Sequence, residues 1–95
     1  MRIVLLKFAE HKDQAPQYME AHNAWLKQGF DDGVFVLAGS LQPRRGGAII
    51  AHGCSLDELQ ARIAEDPFVA FKVVEAEILE ISPSKADERL AFLLA

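Results

Sequence analysis

The 95-residue chain contains a single cysteine, Cys54, and therefore cannot form an intrachain disulfide bond. Such sparing use of cysteine is typical of proteins in a reducing compartment, so we expect a cytoplasmic location. The sequence also lacks an apolar run approaching the ~20 residues that a membrane-spanning helix requires. The apolar stretch after Met1 ends at Lys7, which favours a β-strand over a signal peptide. We therefore expect no membrane partner.

Positive charge is also scarce. The chain has 10 basic and 14 acidic residues, with a formal net charge of −4, and its lysines and arginines are scattered. Proteins that bind nucleic acids or anionic membranes concentrate positive charge, so we expect neither kind of partner. By contrast, 51% of the residues are hydrophobic. For so short a chain, this surplus indicates burial against a partner or the lining of a pocket.

Hydrophobic periodicity predicts alternating strands and helices. The first helix should run from Ala15 to Phe30, and Ser55 should cap a second helix that ends before Pro67. A slip in alternation between Ile78 and Leu79 indicates a β-bulge in the last strand. The predicted strands are Ile3–Phe8, Val34–Leu41, Ala48–His52 and Phe71–Ile81.

This β-α-β-β-α-β order predicts an α+β protein with the ferredoxin-like split βαβ fold, in which both helices cover one face of an antiparallel sheet. The strands are apolar on both faces, so we expect a homodimer in which two sheets meet. Beyond residue 82, Ser84 should cap a short helix whose apolar face packs at the dimer interface or its rim. That face comprises Ala86, Leu90, Leu93 and Leu94.

His22 lies near the centre of the apolar stripe of the first predicted helix. A buried ring nitrogen needs a hydrogen-bond partner, since an unsatisfied polar group costs on the order of 1–3 kcal/mol. Asp66, at the far end of the second helix, is the expected partner, and a His–Asp pair in a pocket can transfer protons. Two simpler roles remain open: a core histidine, and an aspartate that caps the turn begun by Pro67.

Several short motifs accompany this pair: His22-x-x-Trp25-Leu26-x-x-Gly29, Ala38-Gly39-Ser40-Leu41, Gly46-Gly47-Ala48, Ser55-Leu56-Asp57-Glu58 and Asp66-Pro67-Phe68. Together they resemble the YCII-related family over roughly residues 2–82, with 83–95 as a C-terminal helical extension. The resemblance implies a dimeric α/β barrel related to muconolactone isomerase and the chloromuconolactone dehalogenases. It also implies a catalytic dyad at His22 and Asp66.

Four further residues are candidate substrate contacts. Trp25 and Phe68 are expected as pocket wall or core, Ser40 could offer a hydroxyl, and Arg44 could steer an anionic substrate from a hairpin loop. We expect no metal site, since His11, His52 and Cys54 show no ligand-like spacing with His22.

Three functions are compatible with these residues. The first is a cofactor-free isomerase or lyase that acts by proton transfer on a small organic acid or lactone. The second is a non-catalytic binding dimer, and the third, weaker one is a haem-binding protein with His22 as axial ligand.

Overall fold

The computed structural model describes residues 1–94, and Ala95, the last residue of the expected extension, lies outside them. Two short 3₁₀ helices, Lys12–Gln14 and Glu88–Leu94, accompany the main elements. Those elements are the strands β1 (Arg2–Phe8), β2 (Phe35–Leu41), β3 (Gly46–Ala51) and β4 (Val74–Glu80), and the helices α1 (Ala15–Asp31), α2 (Leu56–Ala64) and α3 (Pro67–Ala70). The chain thus has the predicted order of strands and helices, with two additional short helical segments, Lys12–Gln14 and α3.

The four strands form one antiparallel sheet in the order β2-β3-β1-β4. This order is that of the ferredoxin-like fold, and the predicted fold class is confirmed. Side chains of alternate residues face the helices and form the core, among them Val4, Leu6, Phe35, Ile49 and Val74. Within residues 1–94, no helix combines the length and apolarity needed to cross a membrane.

Helix α1 approaches the sheet closely at Gly29. A Cβ atom built on Gly29 would lie 2.1 Å from the ring of Phe35, so only glycine leaves room for that ring. Trp25, one turn earlier, meets Phe35 edge-on with 5.2 Å between ring centroids. Near the next helix, the hydroxyl of Ser55 caps α2 by accepting a hydrogen bond from the Glu58 N–H at 3.1 Å, as predicted.

The face of the sheet opposite the helices carries a row of apolar side chains, with the charged residues Lys7, Glu75 and Glu77 beside it. Ile3 of β1 pairs with Ile50 of β3 and with Leu79 of β4, and Ile50 pairs with Leu37 of β2. Opposed residues share a face, so these four side chains form a row across all strands. Leu37 is 54% exposed and Leu79 is 42% exposed. We call this row the open face.

Strand β4 corrects the predicted bulge. Its pairing with β1 is continuous, with Val4 opposite Ile78 and Ile3 opposite Leu79. Ile78 lies on the helix side and Leu79 on the open face, and the break in alternation reflects a strand that is apolar on both sides. The irregularity of the sheet lies instead in β2, between Phe35 and Leu37.

The ends of two predicted elements also differ. Phe71, predicted to begin the last strand, instead ends α3, and Lys72 follows in a left-handed conformation with φ of 60°. Beyond residue 82, the helix begins at Glu88 rather than after Ser84, because Asp87 caps it: its Oδ1 accepts a hydrogen bond from the Arg89 N–H at 2.9 Å. Phe92 contacts the ring of His52, with centroids 5.2 Å apart.

Candidate functional site

A cavity of about 330 Å³ lies between α1, α3 and the helix side of the sheet. Its inner wall is apolar and includes Leu6, Leu26, Ile49 and Phe68. Its exposed rim includes Met19 and Asn23 of α1 and Ser40 of β2. The volume is near the lower end for small-molecule pockets, which bury most of a bound ligand's surface. The cavity therefore suits a compact organic molecule.

His22 extends from the middle of α1 into the wall of this cavity. The residue is only 9% exposed. Its Nδ1 atom lies 2.8 Å from Oδ1 of Asp66, the partner expected from the sequence. A carboxylate can only accept hydrogen bonds, so this geometry assigns the ring proton to Nδ1. Nε2 has no hydrogen-bond partner among residues 1–94 and is the nitrogen available to a molecule in the cavity.

Asp66 lies between α2 and α3 and is completely buried. Its extended backbone (φ −62°, ψ 123°) is the conformation favoured before proline. Pro67 then begins α3. Its Oδ1 atom also accepts a hydrogen bond from the Phe68 N–H at 3.0 Å. The two roles considered for Asp66, helix cap and partner of His22, are therefore both present in one carboxylate.

The second carboxylate oxygen, Asp66 Oδ2, is buried and has no hydrogen-bond partner in the described part of the chain. An unpaired buried oxygen costs free energy unless a nearby opposite charge compensates it. An imidazolium formed on His22 during a reaction would supply that charge.

Aromatic rings enclose the imidazole. The ring of Phe68 stacks on His22 with centroids 4.0 Å apart and an interplanar angle of 6°. Trp25 lies farther away, at 5.7 Å with a 30° tilt. Phe68 covers one face of the imidazole and restrains its plane.

The remaining predicted contacts lie in different places. Phe68 and Ser40 line the cavity with His22, whereas Trp25 and Arg44 do not. Trp25 packs in the core, and its Nε1 donates a hydrogen bond to the carbonyl oxygen of Arg62 at 3.0 Å. Arg44 is exposed in the turn between β2 and β3.

Sequence reasoning missed several lining residues. Asn23 is polar and falls outside the apolar stripe of α1, yet it lines the cavity beside His22. Gly47 lies opposite Ser40 in the sheet and presents no side chain to the cavity. The Gly46-Gly47-Ala48 motif indicated the space at Gly47, because small residues in this strand leave room beneath the helices.

Fold and site together define a ferredoxin-like α+β protein with a partly open cavity and a hydrogen-bonded His–Asp pair beside it. The model of the YCII-related domain matches residues 1–82. The chain belongs to this family, as the motifs had indicated.

Among solved structures, the chain is similar to a 5-chloro-2-hydroxyhydroquinone dehydrochlorinase from Burkholderia phenoliruptrix, in complex with 2,5-dihydroxybenzoquinone. The TM-score is 0.69 and the sequence identity 15%, over 85% of this chain and 93% of the other. That protein shares the fold. No protein with curated annotation matched the sequence.

Proposed function

We propose that the chain is a small, cofactor-free enzyme that moves a proton on an organic molecule held in the cavity. The observation that carries this proposal is the 2.8 Å hydrogen bond between Nδ1 of the cavity-lining His22 and buried Asp66, which leaves Nε2 without a hydrogen-bond partner among residues 1–94. His22 and Asp66 are the proposed catalytic residues. Phe68 and Ser40 are the proposed substrate contacts because they line the cavity, whereas Trp25 and Arg44, the other two predicted contacts, do not line it.

In the proposed step, Nε2 of His22 removes a proton from a carbon or oxygen atom of the substrate. The ring becomes an imidazolium, and the carboxylate of Asp66 stabilises its charge through the Nδ1–H bond. Two balanced reactions can follow this proton transfer. In an isomerisation the ring returns the proton to another substrate atom, and in an elimination a halide leaves with its bonding electron pair. The second route releases one hydrogen halide and requires no oxidant.

The comparisons support the same chemical class. The similar solved structure is a dehydrochlorinase, and its name describes the loss of hydrogen chloride. Lactone isomerisation is the other candidate, by relation to muconolactone isomerase. Both reactions begin with proton removal next to a polarised group, which a neutral imidazole performs near neutral pH.

Turnover across a panel of chlorinated hydroquinones, muconolactones and related compounds tests the proposal. Chloride release and proton NMR should reveal product from at least one compound. A non-catalytic binding dimer is the second candidate, because the same hydrogen-bonded pair could orient a ligand without reaction. Saturable binding of several panel members with no product from any would favour that candidate and reject the enzyme.

We also propose that the protein is a homodimer. The open face carries Ile3, Leu37, Ile50 and Leu79 in one row, and a contiguous apolar patch on a protein surface marks an interaction site. A second copy of the same sheet offers a matching apolar surface. The extension at 83–95 would then lie near the rim of that interface.

We also propose a cytoplasmic location, because the presence of a single cysteine, Cys54, fits a reducing compartment.

A further inference from the structure

Among residues 1–94, no lysine, arginine, aspartate or glutamate side chain lines the cavity. Arg44 and Arg45, which precede the lining residue Gly46, lie exposed in the turn and do not line the cavity. A carboxylate placed in the cavity would therefore lose water without gaining an ion pair. Uncompensated burial of such a charge is strongly unfavourable.

The His22–Asp66 pair does not supply the missing positive charge. With a neutral ring the pair carries −1, from the Asp66 carboxylate, and with an imidazolium it carries zero. In neither state does it attract an anion as a lone cation would. Because Asp66 is fully buried directly behind the ring, its charge is weakly screened by water and acts against an anionic ligand.

Polar groups without charge do line the cavity. Ser40, which carries a hydroxyl, and Asn23, which carries a side-chain amide, lie at the rim, and His22 lies in the wall with Nε2 unpaired among the described residues. Each can exchange hydrogen bonds with hydroxyl or carbonyl oxygens. Gly47, opposite Ser40, adds no side chain to the cavity. A Cβ atom built there would meet only the carbonyl oxygen of Gly39, at 3.2 Å.

From this charge distribution we infer that the cavity selects uncharged molecules with hydroxyl or carbonyl groups, such as hydroxylated rings and lactones, and rejects their carboxylates. This inference rests on the proposed function for the identity of the site and narrows its substrate class. It separates the two classes expected from the sequence. Lactones without a free acid fit, whereas organic acids do not, nor do lactones that carry a carboxylate, muconolactones among them.

Binding of three related compounds tests the selection independently of turnover. Hydroquinone is uncharged, 2,5-dihydroxybenzoate adds one carboxylate, and methyl 2,5-dihydroxybenzoate restores neutrality at greater size. Amide NMR shifts of Asn23, Ser40 and Gly47 report occupancy of the cavity. We expect hydroquinone and the ester to bind, with the acid at least about tenfold weaker than the ester. Acid binding equal to or tighter than the ester would overturn the inference, as would absence of binding by all three.

A charge introduced at the rim provides the complementary test. Met19 lines the cavity and is 43% exposed, so Met19→Lys adds a cation without burying it. Met19→Gln is the matched uncharged control. We expect Met19→Lys to raise the affinity for the acid relative to the ester by about tenfold, and Met19→Gln to leave the ratio unchanged. An unchanged ratio in Met19→Lys would contradict the inference. If the wild type turns over no compound but still prefers uncharged ligands, only the proposed enzymatic activity is contradicted.

Discussion

His22 Nδ1 and Asp66 Oδ1 lie 2.8 Å apart, although the two residues are separated by 44 positions in the chain. One is carried by α1 and the other begins α3, so the packing of these helices sets the distance between them. Arg62 of α2 reinforces this packing. Its carbonyl accepts a hydrogen bond from Trp25, and its guanidinium lies 3.0 Å from Asp32 at the end of α1.

Replacement of Asp66 should separate its structural role from its role in the dyad. Asp66→Asn keeps an oxygen that can accept from the Phe68 N–H but removes the charge that stabilises an imidazolium. We expect nearly unchanged stability and a loss of turnover within the range of about 10²–10⁴-fold. Asp66→Ala also removes the cap and should lose about 1 kcal/mol of unfolding free energy. Urea unfolding and steady-state kinetics on both variants measure the difference, and full activity in Asp66→Asn would leave Asp66 as a cap only.

Trp25→Phe tests whether the indole belongs to the core. The variant retains an aromatic ring against Phe35 but loses the hydrogen bond to the Arg62 carbonyl, which should cost about 1 kcal/mol of stability. Because Trp25 does not line the cavity, ligand affinity should stay unchanged. Thermal unfolding and ligand titration provide the two readings. A large loss of affinity with unaltered stability would place the indole beside the ligand.

The open face should control assembly. Leu37→Glu introduces a charge at the β2 end of the apolar row and should convert the dimer into a folded monomer, because burying an unpaired glutamate in an apolar interface is unfavourable. Gln60→Glu, a matched change on the helix side, should leave the dimer intact. Sedimentation velocity at micromolar concentration distinguishes the species. A wild-type chain that sediments as a monomer would refute the proposed dimer directly.

The ion pair at the end of α1 should make stability depend on acid pH. A hydrogen bond from the side chain of Gln28, and a second one from Arg62, lower the pKa of Asp32 below its ordinary value of 3.8. A carboxyl group whose pKa is lower in the folded state stabilises the fold above the unfolded pKa, and this contribution is lost as the pH falls through the folded pKa. Asp32→Asn should therefore have a slightly lower melting temperature than the wild type at neutral pH. The two should converge below about pH 3.8, and a constant difference down to pH 2 would exclude this account.

Much of the site could be predicted because its main residues follow simple local rules. Helical spacing placed His22 on the inner face of α1, and the proline after Asp66 placed that carboxylate at a helix start. Trp25 follows the same spacing, yet its indole N–H turns to the Arg62 carbonyl, and periodicity contains no information about such a long-range partner. The bulge was predicted wrongly because alternation cannot distinguish a slipped strand from one with two apolar faces. Asn23 escaped notice because a polar residue beside an apolar stripe normally faces water.

Proton transfer by His22 is tested most directly by solvent deuterium incorporation. In D₂O, NMR can follow exchange at carbon and product formation for each panel compound, with wild type and His22→Gln at equal concentration. We expect the wild type to act on at least one compound faster than buffer alone, and His22→Gln to lose at least about 10²-fold of that rate while its circular dichroism and dimer mass stay unchanged. Retention of the wild-type rate by a folded His22→Gln variant would contradict the account.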